Sequence, residues 1–201
     1  MRSARGPILL LLAMAGITAC SGQDKAVKNA EPPPPAQTQQ QQQQALLRKK
    51  VSALLEKGSY RRALELMGGR NHPGHPATGL EREYIAAIKG LIASGEESLA
   101  RGEYAAAGQS FKCALDCYPV DPALRDRVRP EPRQIRAHLE DCSNRLMEQG
   151  LQEYRRGNLE SAIRKWKGLI AFNAGHKEAR KAIETATVQL RALQNMENQR
   201  Q

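Results

Sequence analysis

The sequence predicts an all-α protein made of about three similar helical hairpins and a C-terminal capping helix. Three observations carry that expectation. Aromatic residues form only 4% of the 201, while Ala, Leu, Gln, Glu, Lys and Arg, which lose little freedom in a helix, dominate. The stretches GEYAAAGQSF (102–111) and GNLESAIRKW (157–166) share one skeleton. Upstream of each, apolar residues recur at spacings of three and four, the signature of one helix face.

The skeleton is clearest with each motif glycine as origin. Gly102 is followed by Tyr104, Ala107, Phe111, Ala114 and Pro119, and Gly157 by Leu159, Ala162, Trp166, Leu169 and Ala174. A weaker copy runs from Gly58 through Tyr60, Ala63 and Met67 until Arg70 interrupts it. Seven residues upstream of the origins stand Gly95, Gly150 and Val51. A glycine at the turn between antiparallel helices reaches left-handed dihedrals without the Cβ penalty. Gly95 and Ala107 are expected where helix axes approach closely, with Phe111 and Trp166 filling the gap between successive hairpins. Pro119 closes its second helix.

Long first helices fit this scheme. Tyr84, Ile88, Leu91, Gly95 and Leu99 line one face, and Ile135, Leu139, Cys142, Leu146, Gly150 and Tyr154 another. A last stripe of Ala179, Ala182, Ile183, Ala186, Leu190 and Leu193, polar on its other side, suits a terminal helix.

AGQSF and AIRKW match the A-x3-F element, so the chain resembles the tetratricopeptide repeat (TPR). The motif glycines lie 44 and 55 residues apart, longer than the family's usual period, which implies a short, irregular α-solenoid. Its repeats are expected around 45–68, 80–119 and 134–173, with the capping helix at 175–197 and the whole helical domain at 45–201. The resemblance implies a groove lined by the first helix of each repeat that binds a peptide segment or partner domain. By position its residues are Arg48, Ser52, Lys89, Glu96, Asn144, Leu151 and Arg155. They depart from the family's Lys/Asn carboxylate-clamp pattern.

The first twenty residues belong to targeting. Arg2 and Arg5 precede an apolar run of about a dozen residues ending in ITAC, too short to span roughly 30 Å of hydrocarbon. This resembles the lipobox of bacterial lipoprotein signals. The resemblance implies a signal peptide at 1–19, cleavage before Cys20, and diacylglyceryl and further acyl (palmitate-like) chains on that residue, enough for stable anchoring. Ser21 in place of aspartate implies the outer membrane, with the protein facing the periplasm. Residues 20–44, rich in Pro and Gln, are expected to be a disordered tether, although the six glutamines tolerate a helix.

Removing 1–19 takes away two arginines and no acid, lowering the formal charge from +10 to +8. Export makes nucleic acid an unexpected partner for this basic surface. Arg125, Arg127, Arg129, Arg133 and Arg136 form a basic patch between repeats. It could bind anionic groups, so contact with lipopolysaccharide or peptidoglycan is the alternative to binding an envelope protein. An adaptor in assembly of an outer-membrane or secretion and pilus complex is the primary expectation.

Three cysteines remain after Cys20. Cys113 and Cys117 are one helical turn apart, where a bridge constrains little. A Cys117–Cys142 disulfide stapling two repeats is the favoured pairing, Cys113–Cys142 the second, and three reduced thiols the alternative. Metal is not expected, because Cys113 and Cys117 make only half of a zinc spacing, with His138 nearby and no second pair. His72 and His75 read as loop residues. No cofactor and no catalysis are expected: Gly-x-Ser-x-Gly, a phosphate loop and HExxH are all absent from the sequence.

Overall fold

A computed structural model describes residues 36–68 and 74–200. Among the described residues there are eight α-helices and no strand. They are α1 (Ala36–Glu56), α2 (Tyr60–Leu66), α3 (Glu81–Ala100), α4 (Tyr104–Asp116), α5 (Pro122–Arg125), α6 (Pro132–Arg155), α7 (Leu159–Ile170) and α8 (Lys177–Asn198). The protein is all-α. Each long helix packs on the next in sequence: α1 on α2, α2 on α3, α3 on α4, α4 on α6, α6 on α7 and α7 on α8.

Three of these connections are the same object. Gly58, Gly102 and Gly157 have φ of 67°, 74° and 80°, the left-handed region where only glycine is free of strain. In each, the glycine N–H donates to the carbonyl three residues back (Leu55, Leu99, Tyr154) at 3.0 Å. The next N–H, of Ser59, Glu103 or Asn158, donates to the carbonyl five back (Leu54, Ser98, Glu153) at 2.8–2.9 Å. This paired closure satisfies carbonyls that the helix end would leave orphaned. The following residue then enters the next helix with φ between −84° and −81° and ψ between 51° and 64°.

Between hairpins the chain uses other devices. Asp121 caps α5, its carboxylate accepting from Ala123 N–H at 2.8 Å. Pro132 opens α6, where a missing N–H costs nothing, and Gln134 reaches back to accept from Glu131 N–H at 3.1 Å. Tyr84 ties a loop to the core: its hydroxyl accepts from Gly74 N–H at 3.1 Å and donates to the Cys117 carbonyl at 2.8 Å.

The core is assembled by aromatic rings lying on glycines. A Cβ added to Gly95 would come within 2.7 Å of the Phe111 ring, and one on Gly150 within 2.2 Å of Trp166. The equivalent distances are 2.3 Å for Gly90 against Tyr60 and 2.4 Å for Gly108 against Phe172. The expectation that Phe111 and Trp166 fill gaps between hairpins is therefore corrected for Trp166, while Phe111 reaches both its own hairpin and the next. Trp166 seats on its own hairpin, donating to the Met147 carbonyl at 3.2 Å. Phe111 does so as well, and adds a stacked contact to His138 of α6 with centroids 5.2 Å apart. Tyr60 on α3 and Phe172 on α4 make the joints between hairpins.

Two expected boundaries also shift. Helix α1 begins at Ala36, so residues 36–44 are helical rather than part of the disordered tether. Glutamine is a good helix former, and the run extends a helix already anchored by buried Val51. At the other end, Ala179 and Ala186 of α8 are buried and Ala182, Ile183 and Leu190 pack beside them. Leu193, expected on that stripe, is 47% exposed. It still borders Tyr154, Gly157 and Leu159 at the α6–α7 turn, at the rim of the stripe rather than within it.

Candidate functional site

The seven groove positions lie on the first helices α1, α3 and α6. Arg48 is already engaged, pairing with Glu83 at 3.1 Å and donating to the Gly79 carbonyl, which fastens α1 to the start of α3. Ser52 is half-buried; Lys89, Glu96, Asn144, Leu151 and Arg155 are exposed on α3 and α6. None of the seven lines the cleft described next.

That cleft opens on the opposite set of helices. It has a volume of about 620 Å³ and lies between α2, α4 and the turn after α7. Leu64 and Phe172, both buried, form its floor. Arg61 and Glu65 stand on the α2 side. Gln109, Lys112, Cys113, Asp116 and Cys117 come from α4 and its C-cap, and Ala171 and Ala174 close the far end. Lys112 and Asp116 pair one turn apart, and Arg61 donates to the Gln109 carbonyl at 3.4 Å, reaching across the mouth. An apolar floor with charges of both signs on the rim suits a short peptide segment carrying an apolar anchor.

Sulfur chemistry is concentrated on one wall. Cys113, Cys117 and Cys142 are free thiols, so the expected Cys117–Cys142 bridge is absent. The thiol of Cys117 instead faces Cys113 on its own rod, where it donates a hydrogen bond. That bond lowers the Cys113 pKa to about 7; burial opposes the shift, and the charge and hydrogen bond of Arg61 reinforce it. Cys117 is pushed up by the same bond and by burial. Cys142, within α6, is raised to about 11 by burial first and by Asp141 next. Among the described residues no three His, Cys, Asp or Glu side chains gather as metal ligands.

A second cleft, of about 910 Å³, collects part of the basic patch. Arg125, Arg129 and Arg136 line it with Lys112, and Asp116, Asp126 and Glu131 are interleaved among them. Arg127 and Arg133 lie outside it. Arg125 is spent on the fold, donating to the carbonyls of Pro119 at 3.4 Å and Val120 at 2.9 Å. Arg129 donates to the Val128 carbonyl at 3.4 Å and lies 3.9 Å from Glu131. This surface is close to balanced in charge, not a stripe of one sign.

Cys20 and His72 lie outside the described residues, and His75 is exposed in its loop. No described helix is long and apolar enough to cross a membrane. Sequence reasoning missed Arg61, Gln109 and Cys113 as parts of one cleft. The available signal was the four-residue spacing of Cys113 and Cys117, which puts both on one helix face; nothing local announced that Arg61 would stand opposite. Compared with protein-family models, curated proteins and solved structures, the chain matches none.

Proposed function

We propose that the chain is a short, TPR-like α-solenoid that binds a segment of a partner protein and is moored by an acylated Cys20 in the bacterial cell envelope, facing the periplasm from the outer membrane. The observation that carries the scaffold reading is the threefold recurrence of one helix connection at Gly58, Gly102 and Gly157, identical in hydrogen bonding and nearly so in dihedrals. A hairpin that recurs in this way buries its apolar face only against its neighbours, which is the logic of repeat proteins. The partner segment docks in the cleft between α2, α4 and the turn after α7, setting an apolar side chain over Leu64 and Phe172 and its charges against Arg61 and Asp116. Its role is binding, not catalysis, in the assembly of an envelope complex. The interleaved acids around Arg125, Arg129 and Arg136 weigh against an anionic polymer as the ligand.

The test is in-cell photocrosslinking of the full chain from position 109 in the cleft, with positions 89, 96 and 151 on the first helices for comparison. Capture of one discrete protein from 109 supports the reading. Capture of only lipid or glycan from all four positions overturns it. Membrane mooring is tested separately. Cys20→Ser is expected to move the chain to the soluble fraction and abolish the acyl mass on its N-terminal peptide; unchanged membrane retention would refute the anchor.

A further inference from the structure

We propose that Cys113 and Cys117 are a dithiol site that exchanges with a disulfide entering the cleft between α2, α4 and the turn after α7. Both cysteines line that cleft, together with Arg61. The two stand four residues apart on one helix face, and Arg61 reaches over from the facing helix to the Gln109 carbonyl beside them, its charge favouring the Cys113 thiolate. Cys113 is half-exposed and Cys117 buried behind it, the order expected of an attacking thiol and a resolving one. The charged and titratable groups around the pair are Arg61 and Glu65 from α2, Lys112 and Asp116 from α4, and Tyr84 from α3.

Helix geometry makes the bridge labile. Residues one turn apart have Cβ atoms about 5–6 Å apart, wider than the roughly 3.5–4.5 Å a relaxed disulfide takes. Cys117 is the C-cap of α4, with φ −100° and ψ 11°, so it can give without unwinding the helix. The resulting bond is strained, and it staples nothing that the helix does not already fix. Such a bond is easily reduced, which suits exchange and not structural support.

The steps balance. The Cys113 thiolate attacks one sulfur of the incoming disulfide R–S–S–R′, forming Cys113–S–S–R and expelling R′S⁻, which takes up a proton. Cys117 loses its proton and attacks the Cys113 sulfur, forming the Cys113–Cys117 bond and expelling RS⁻, which is protonated in turn. The incoming disulfide is reduced by two electrons to two thiols, and the pair is oxidised by the same two. Cys142, buried on α6 with its thiol pushed up, takes no part.

The experiment uses the reduced full chain with a large excess of oxidised glutathione as probe, kept free of reduced glutathione so that an easily reduced bond accumulates, quenched by alkylation and mapped after trypsin digestion. Both cysteines fall within one peptide, residues 113–125, so an internal bridge appears as that peptide two hydrogens lighter and closed to alkylation. The expected result is this species with Cys142 still alkylated, and loss of the selectivity when the reaction is run in denaturing urea. Cys117→Ser is expected to trap glutathione on Cys113. Arg61→Gln is expected to slow the reaction about threefold at pH 7, because a higher thiol pKa costs thiolate but returns part of the rate as nucleophilicity. Peptide 113–125 recovered with two free thiols, with glutathione on both, or bridged to Cys142 would overturn the proposal, and the unsubstituted chain decides this without any variant.

Discussion

Replacing Gly150 with alanine places a methyl carbon 2.2 Å from Trp166 Nε1. An ordinary contact needs about 3.5 Å, so the indole must retreat by more than an ångström. It has nowhere to go: Trp166 is 2% exposed, with the Tyr154 ring 6.0 Å away on one side and its N–H committed to the Met147 carbonyl at 3.2 Å. Overpacking of this kind costs about 1–3 kcal/mol, and the displaced hydrogen bond about 1 kcal/mol. Alanine returns about 1 kcal/mol through its better helix propensity. The net loss is about 1–3 kcal/mol, or roughly 2–12 °C in Tm for a chain of this size. Trp166 is the sole tryptophan, so its fluorescence in a urea titration reports on this seam directly. A Gly150→Ala protein within about 0.5 kcal/mol of the parent, or more stable than it, would show that the ring does not rest on Gly150 and would refute the account of the core.

Gly102→Ala tests conformation without crowding, since a Cβ there meets nothing within 4 Å. The φ of 74° alone is expected to cost about 1–2 kcal/mol in urea unfolding, with Gly102→Asn milder. Tyr84→Phe strands the Gly74 N–H and the Cys117 carbonyl in a buried site, and is expected to lose about 2 kcal/mol by the same assay. Alkylation of Cys113 by iodoacetamide should rise with pH through a midpoint near 7, because the protonated form below the midpoint does not react. Arg61→Gln should move that midpoint upward, and Cys142, raised to about 11, should stay unmodified at neutral pH; both are read by mass spectrometry of the tryptic peptides.

The hairpins were legible in the sequence because their determinants are local. A glycine at a fixed offset from an A-x3-aromatic element encodes both the left-handed turn and the face that packs, and Gly102 and Gly157 wrote that twice with little change. The seats of the aromatics were not legible. Whether Trp166 lies on Gly150 or against a neighbouring hairpin depends on which small residue faces it across a helix pair, and Gly90, Gly95, Gly108 and Gly150 all offered one. The pairing of Cys117 with Cys142 was wrong for a related reason. Apolar periodicity says that both are buried, but not that they face different neighbours. The cleft was invisible because Arg61 and Cys113 are about fifty residues apart in sequence and meet only once α2 and α4 take their places.

Helix α1 extends well past the point where it gains cover. Residues 39–46 are exposed, and Val51 is the first fully buried position. Gln41, Gln44 and Ala45 still border Thr78, Gly79 and Leu80, so at about 1.5 Å per residue the end of the helix projects like a stub axle roughly 8 Å beyond the body. Whatever is joined to Ala36 is thereby given a bearing as well as a distance. A pull applied there would be delivered along the axis of α1 into the Arg48 clasp on α3, so the load would fall on the first hairpin, whose α2 forms one wall of the cleft.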